Sequence, residues 1–117
     1  MALNPMIITD PEEGREYTLE FSRKTVARVE SAGFDANKMD SAPMTMLPLL
    51  FWGAFLMHHP YMKQEDTNRI LFDGLNGLSA EEAECLGKLY AEPFKALIAG
   101  EDEGKTENPT RKMSVKI

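Results

Sequence analysis

The residues with the widest chemical repertoire are His58, His59 and Cys85, the chain's two histidines and its single cysteine. A structural zinc site wants about four ligands at recognisable spacing. Adjacent histidines on a helix point in different directions, and one thiol completes no such set. Cysteine with histidine is also the minimum for nucleophilic catalysis. Here no oxyanion loop or orienting third group accompanies the pair, and Cys85 falls in the first turns of an ordinary helix. No catalytic residue, metal ligand or cofactor site is therefore expected. The histidines read instead as a helix end, where imidazoles suit the exposed carbonyls and the dipole. Asp73-Gly74-Leu75-Asn76-Gly77 carries glycine but lacks the lysine and spacing of a phosphate loop, and reads as a connection between helices. Glu12-Glu13, Glu81-Glu82-Glu84 and Glu101-Asp102-Glu103 read as solvated acidic patches.

Binding is the chemistry with more material behind it. Met39, Met44, Met46, Met57 and Met62 cluster around the apolar run Pro43 to Met62. Methionine adapts to irregular neighbours and is over-used on surfaces that grip varied apolar partners, although core filling is the plainer reading of each. Exposed parts of Met46, Trp52, Phe55, Met57, Tyr90 and Phe94 are the candidate partner contacts.

These residues need elements to hold them. Met6 to Thr9 reads as a short strand, and Asp10-Pro11-Glu12-Glu13-Gly14 as a turn. Glu16 to Phe21 alternates, with Tyr17, Leu19 and Phe21 on one face, so the two segments predict a β-hairpin. A lone hairpin is marginal in water and must pack on helices. Ser22 caps a helix from Arg23, with Val26, Val29 and Ala32 inward. Gly33-Phe34 matches a C′ glycine followed by an apolar C″ residue. Asp35 to Asp40 suggests one helical turn.

The central helix is expected to start at Ser41 or Thr45, with Pro43 or Pro48 in its first turn, and to end at Pro60. Leu47, Leu50, Phe51, Ala54, Phe55 and His58 follow helical spacing. Leu49, Trp52, Leu56 and Met57 fill most of the remaining circumference, which predicts burial on several sides. Gly53 in mid-helix suggests close packing against a neighbour. Lys63 to Phe72 predicts a short helix with Ile70 and Leu71 inward. Ser79 with Glu82 is a capping box. The helix it opens carries Leu86, Leu89, Tyr90, Pro93, Phe94, Leu97 and Ile98 in one stripe, broken or kinked at Pro93 and stopped by Gly100. Residues 101–117 read as a flexible tail, in which Met113, Val115 and Ile117 alternate as an added strand would.

The totals bound the rest. A chain of 117 residues makes one domain, placed at 1–100 with the tail at 101–117. A net charge of −6 argues against a duplex-DNA binder, which needs a basic stripe to neutralise phosphates. One cysteine permits no intrachain disulfide and fits a reducing cytosol. MALNPMIITDPEE lacks the basic and apolar regions of a secretory signal. The central run, interrupted by Pro48 and Gly53, falls short of the roughly 20 apolar residues that a bilayer requires. The expected fold class is α+β, mostly α: an N-terminal β-hairpin followed by a bundle of about four helices.

Three segments, EYTLEFSRKTVARVESAGF from Glu16 to Phe34, then MTMLPLLFWGAFLMHH, then LYAEPFKALI, occur in an order that resembles a family of phage and prophage proteins. These are regarded as tail assembly chaperones of long-tailed phages of Gram-positive hosts. The resemblance spans roughly Glu16 to Gly100. It implies a non-enzymatic protein of the bacterial host's cytoplasm that binds the tape measure protein and helps tail-tube subunits assemble round it. Self-association is a further implied possibility; no nucleic-acid or membrane partner is implied. Another small prophage-encoded adaptor or regulatory protein is the competing reading. An enzyme built on His58, His59 and Cys85 is the third.

Overall fold

The computed structural model describes residues 4–96. Strands β1 (Met6–Thr9) and β2 (Glu16–Leu19) pair antiparallel, with Ile7 opposite Thr18 and Ile8 opposite Tyr17. Four helices follow: α1 (Arg23–Ser31), α2 (Pro43–Phe55), α3 (Gln64–Asn68) and α4 (Ala80–Ala91). Short 3-10 turns at Ala36–Lys38 and Glu92–Ala96 supplement them, and α3 runs on into a π-helical segment, Arg69–Gly74. The fold is α+β and mostly α, with the hairpin at the N-terminal end, as the periodicities require. No helix among the described residues is long and apolar enough to cross a membrane.

Local chemistry sets most boundaries where they were expected. Ser22 and Thr25 cap α1 reciprocally: the Thr25 amide donates to Ser22 Oγ at 3.2 Å, and the Ser22 amide to Thr25 Oγ1 at 2.9 Å. At the other end Gly33 adopts φ +111°, with the Phe34 amide donating to Val29 O and the Gly33 amide to Glu30 O. This is a Schellman closure, and it folds the buried Phe34 back under the helix. Ala32 is exposed at the C-cap rather than inward. Ser79 and Glu82 form the capping box of α4.

The central helix departs from expectation at both ends. It begins at Pro43, which sits in the first turn as expected, but with Ala42 at the N-cap, so neither Ser41 nor Thr45 caps it. Pro48 lies in its interior. The N–H that Pro48 lacks would have met the Met44 carbonyl, beside a side chain 76% exposed, where water can replace it. The regular helix closes at Phe55, five residues before Pro60. A continuing helix would give the Ala54 carbonyl to the His58 amide. That carbonyl instead accepts from the Glu20 amide at 3.0 Å, at the end of β2. Two residues back, the Thr18 amide donates to His59 Nε2 at 3.0 Å. The outer edge of β2 is thus bonded to the end of α2, which explains how a two-stranded hairpin persists.

Tyr17, Leu19 and Phe21 are buried on the hairpin's inner face, against Leu50, Phe51, Ala54 and Phe55 of α2 and Val26 and Val29 of α1. Ile70, Leu71, Leu86 and Leu89 close the core from the other side. α1 crosses α2 at Gly53, where any Cβ would overlap Val29 Cγ2 and press on Phe21 Cε1 at 3.2 Å. Asp10, fully buried at the hairpin turn, accepts from Arg69 Nη2 at 2.9 Å and from the Glu12 amide at 3.0 Å. Burial alone would raise the Asp10 pKa; the bond to Arg69 and the backbone donors outweigh it and hold it below the usual carboxylate value.

Two predictions follow from these contacts. Gly53→Ala should cost roughly 1–3 kcal/mol by overpacking, despite alanine's better helix propensity. Val29→Ala in the same chain should recover part of that loss in denaturant titrations, because it removes the overlapping methyl; additive losses would show the sites to be uncoupled. The second concerns His59, whose pKa is lowered first by burial and then by neighbouring His58. A lowered folded-state pKa means that the unfolded chain takes up the proton more readily. His59 therefore stabilises fully above its unfolded value of about 6.5, and the contribution is lost as pH falls through the folded value. The melting temperature should decline on acidification from pH about 7 to about 5, and His59→Gln, which keeps an acceptor for Thr18, should flatten that decline. An identical decline in both proteins would clear His59 of responsibility.

Candidate partner-binding groove

α1, the turn at Ala36–Lys38 and α4 do not close on one another completely. Between them runs an open groove of about 800 Å³. Its floor and walls are Phe34, Met39, Leu50, Gly87, Tyr90 and Phe94. Sequence order scatters these residues over five segments. The Schellman turn brings in Phe34, the 3-10 turn carries Met39 over α2, and the 3-10 turn after α4 swings Phe94 back towards α1. Pro93 is the reason for that last turn, since its missing N–H ends the α-helix at Ala91. A smaller hollow of about 220 Å³ lies between Phe94 and α1 at Val26 and Ala27, so Phe94 stands as a ridge with apolar space on both sides. Leu97, Ile98 and Gly100 of the expected stripe lie outside the described residues, as does the tail from 101.

Tyr90 organises the groove. Its ring meets Phe21 at 5.5 Å and Phe34 at 5.0 Å, both edge-on, and Phe94 at 5.3 Å. Its hydroxyl donates to Glu30 Oε2 at 3.3 Å. Burial, then the nearby Glu30 carboxylate, pushes its pKa up to about 12. The phenol therefore stays a neutral donor at any physiological pH. Glu30 and Asp35 lie on the rim, and among the described residues no lysine or arginine lines this groove. Its surface is an apolar trough with an acidic lip.

Of the six expected contacts, the structure brings together only Tyr90 and Phe94. Phe55 is fully buried, its ring tilted against Tyr17 at 5.2 Å and edge-on to Phe51 at 5.0 Å. Trp52, 6% exposed, donates from Nε1 to the Met62 carbonyl at 3.1 Å beneath the Arg28 guanidinium. Met46, also 6% exposed, offers its sulfur to the Asp35 amide at 3.4 Å. Exposed parts were expected on these three, and the core covers them instead. Every face of α2 near them meets a neighbour: β2, α1, α3 or α4. Met57 is exposed but does not line the groove.

His58 and His59 serve the hairpin. His58 Nε2 contacts Glu20 Oε1 at 2.8 Å, and His59 holds Thr18. Cys85 lines a separate depression with Glu81, Glu84 and Lys88. Among the described residues no group of three or more His, Cys, Asp or Glu side chains is placed to hold a metal ion.

The family model described as "Domain of unknown function (DUF5055)" matches residues 1–115. The chain belongs to that family. No curated protein and no solved structure matches it. The groove of this DUF5055 chain was hidden in the sequence because Leu50 and Phe34 look like any core residue. One signal was available. Gly87 interrupts an otherwise strong helix, and a Cβ placed there meets nothing within 4 Å. No contact among the described residues calls for glycine at this position. Gly87→Ala should raise stability by about 0.5–1 kcal/mol, read as a higher midpoint in urea, because alanine fits the helix better and nothing obstructs it. A loss of stability would show that the α4 floor is closed rather than open.

Proposed function

We propose that this chain is a phage tail assembly chaperone that binds the tape measure protein and assists tail-tube assembly, without enzymatic chemistry, in the cytoplasm of the bacterial host. The observation that carries this reading is the apolar groove walled by Tyr90 and Phe94. A groove of about 800 Å³ lined by aromatic and aliphatic side chains is large enough to take a partner's apolar side chains. The ordered resemblance of Glu16–Phe34, the central helix and the LYAEPF segment to tail assembly chaperones supplies the partner's identity. A tape measure protein is long and helical with apolar stretches. Such a protein needs a companion that covers those stretches until the tube surrounds it. The negative charge keeps the loaded chaperone dispersed.

Co-expression with overlapping tape measure fragments tests the proposal. At least one fragment should co-purify with the chain and become more soluble in its presence. Phe94→Asp, which puts a charge on the apolar ridge, should reduce capture by about tenfold or more while the circular dichroism of the chain stays unchanged. If no fragment co-purifies or gains solubility, the reading fails.

A further inference from the structure

We propose that the groove between α1 and α4 takes an amphipathic α-helix carrying lysine or arginine beside its apolar stripe, docked closely over Gly87. The inference rests on the reading of this groove as a binding site and adds the chemistry of its occupant.

Three observations define that chemistry. The first is the nature of the walls. They are helices and short helical turns, whose backbone donors and acceptors are largely used internally. An extended peptide would bring unpaired N–H and C=O groups into an apolar trough that offers few partners for them. A helix satisfies its own backbone and presents only side chains. The second is Gly87, half-buried in the floor with open space above its Cα. Ala91 follows one turn later along the same wall. Together they make a low strip on α4 into which a ridge of partner side chains can settle. The third is charge. Glu30 and Asp35 stand on the rim, and among the described residues no lysine or arginine lines the groove beside them. Arg23 shares the smaller hollow with Glu30, on the other side of Phe94, and is not among the residues that line the groove. A basic residue flanking the partner's apolar anchors meets Glu30 and Asp35, whereas an acidic one is repelled.

The test uses the full chain and two labelled synthetic probes read by fluorescence anisotropy. One is an amphipathic helical peptide of leucine, alanine and lysine; the other has glutamate at every lysine position. The lysine probe should bind, and weaken as salt rises. The glutamate probe should bind at least about tenfold more weakly. Glu30→Gln with Asp35→Asn should bring the two probes within a factor of about three and remove the salt dependence. Gly87→Trp should lower affinity for the lysine probe by about tenfold or more, with a melting temperature no lower than that of the unaltered chain, because its side chain fills the trough.

Equal binding of both probes by the unaltered chain, or undiminished binding by a folded Gly87→Trp chain, overturns the proposal. So does a peptide of residues 105–117 that displaces the lysine probe more effectively than unlabelled probe, since the occupant is then this chain's own segment. A dimer that Gly87→Trp turns into a monomer overturns it in favour of a second copy. The two readings fail separately. Tape measure fragments captured equally well by Gly87→Trp sink this inference alone. A lysine probe that behaves as described while no tape measure fragment binds sinks only the chaperone assignment.

Discussion

The structure depends on the close crossing of α1 and α2 at Gly53. Without a side chain there, Val29 Cγ2 occupies the space that a Cβ would take, and Phe21 closes over the same spot. The contact draws the end of the hairpin onto α2. One residue further, the Ala54 carbonyl leaves the helical ladder to accept from Glu20. The helix ends there, and β2 gains at its outer edge the pairing that a third strand would otherwise supply. The gap left by one absent methyl group thereby sets how closely α1 approaches α2, and the bonds from Glu20 and Thr18 seat the hairpin beside it.

The groove is a consequence of that arrangement on the opposite flank. With α1 held tightly at Val29, its C-terminal turn and the segment after it carry Phe34 and Met39 over Leu50. α4 is held by Leu86 and Leu89 in the core. Tyr90 and Phe94 then fall short of closing the space between the two. The Tyr90 hydroxyl reaches across to Glu30 of α1 beside the opening. A site for a partner arises here from helices fixed elsewhere, with the aromatic residues at the gap only partly covered.

Much of the fold was readable from local pattern. Ser22, Gly33 and Ser79 with Glu82 named helix ends through hydrogen bonds made within a few residues, so no distant contact was needed. The alternation of Tyr17, Leu19 and Phe21 marked the inner face of β2 for the same reason. Less was readable in α2. A helix apolar round most of its circumference carries no direction, so Trp52, Phe55 and Met46 looked as available to a partner as to the core. His58 and His59 looked like a helix end, and they lie just past one, but their bonds go to a strand some forty residues earlier in the chain.

The sequence by itself determined the class of the fold, the order of its elements, and the soft, aromatic and methionine-rich character of its interior. It did so because propensity, capping and periodicity are short-range properties. Only the tertiary structure decided which apolar residues stay at the surface. Burial depends on how many neighbours a side chain meets in three dimensions: α2 meets neighbours all round, whereas Tyr90 and Phe94 have them on one side. Gly53 and Gly87 make the same point in opposite senses. Both are mid-helix glycines in the sequence. One is filled by a neighbouring methyl group, and the other opens onto the groove.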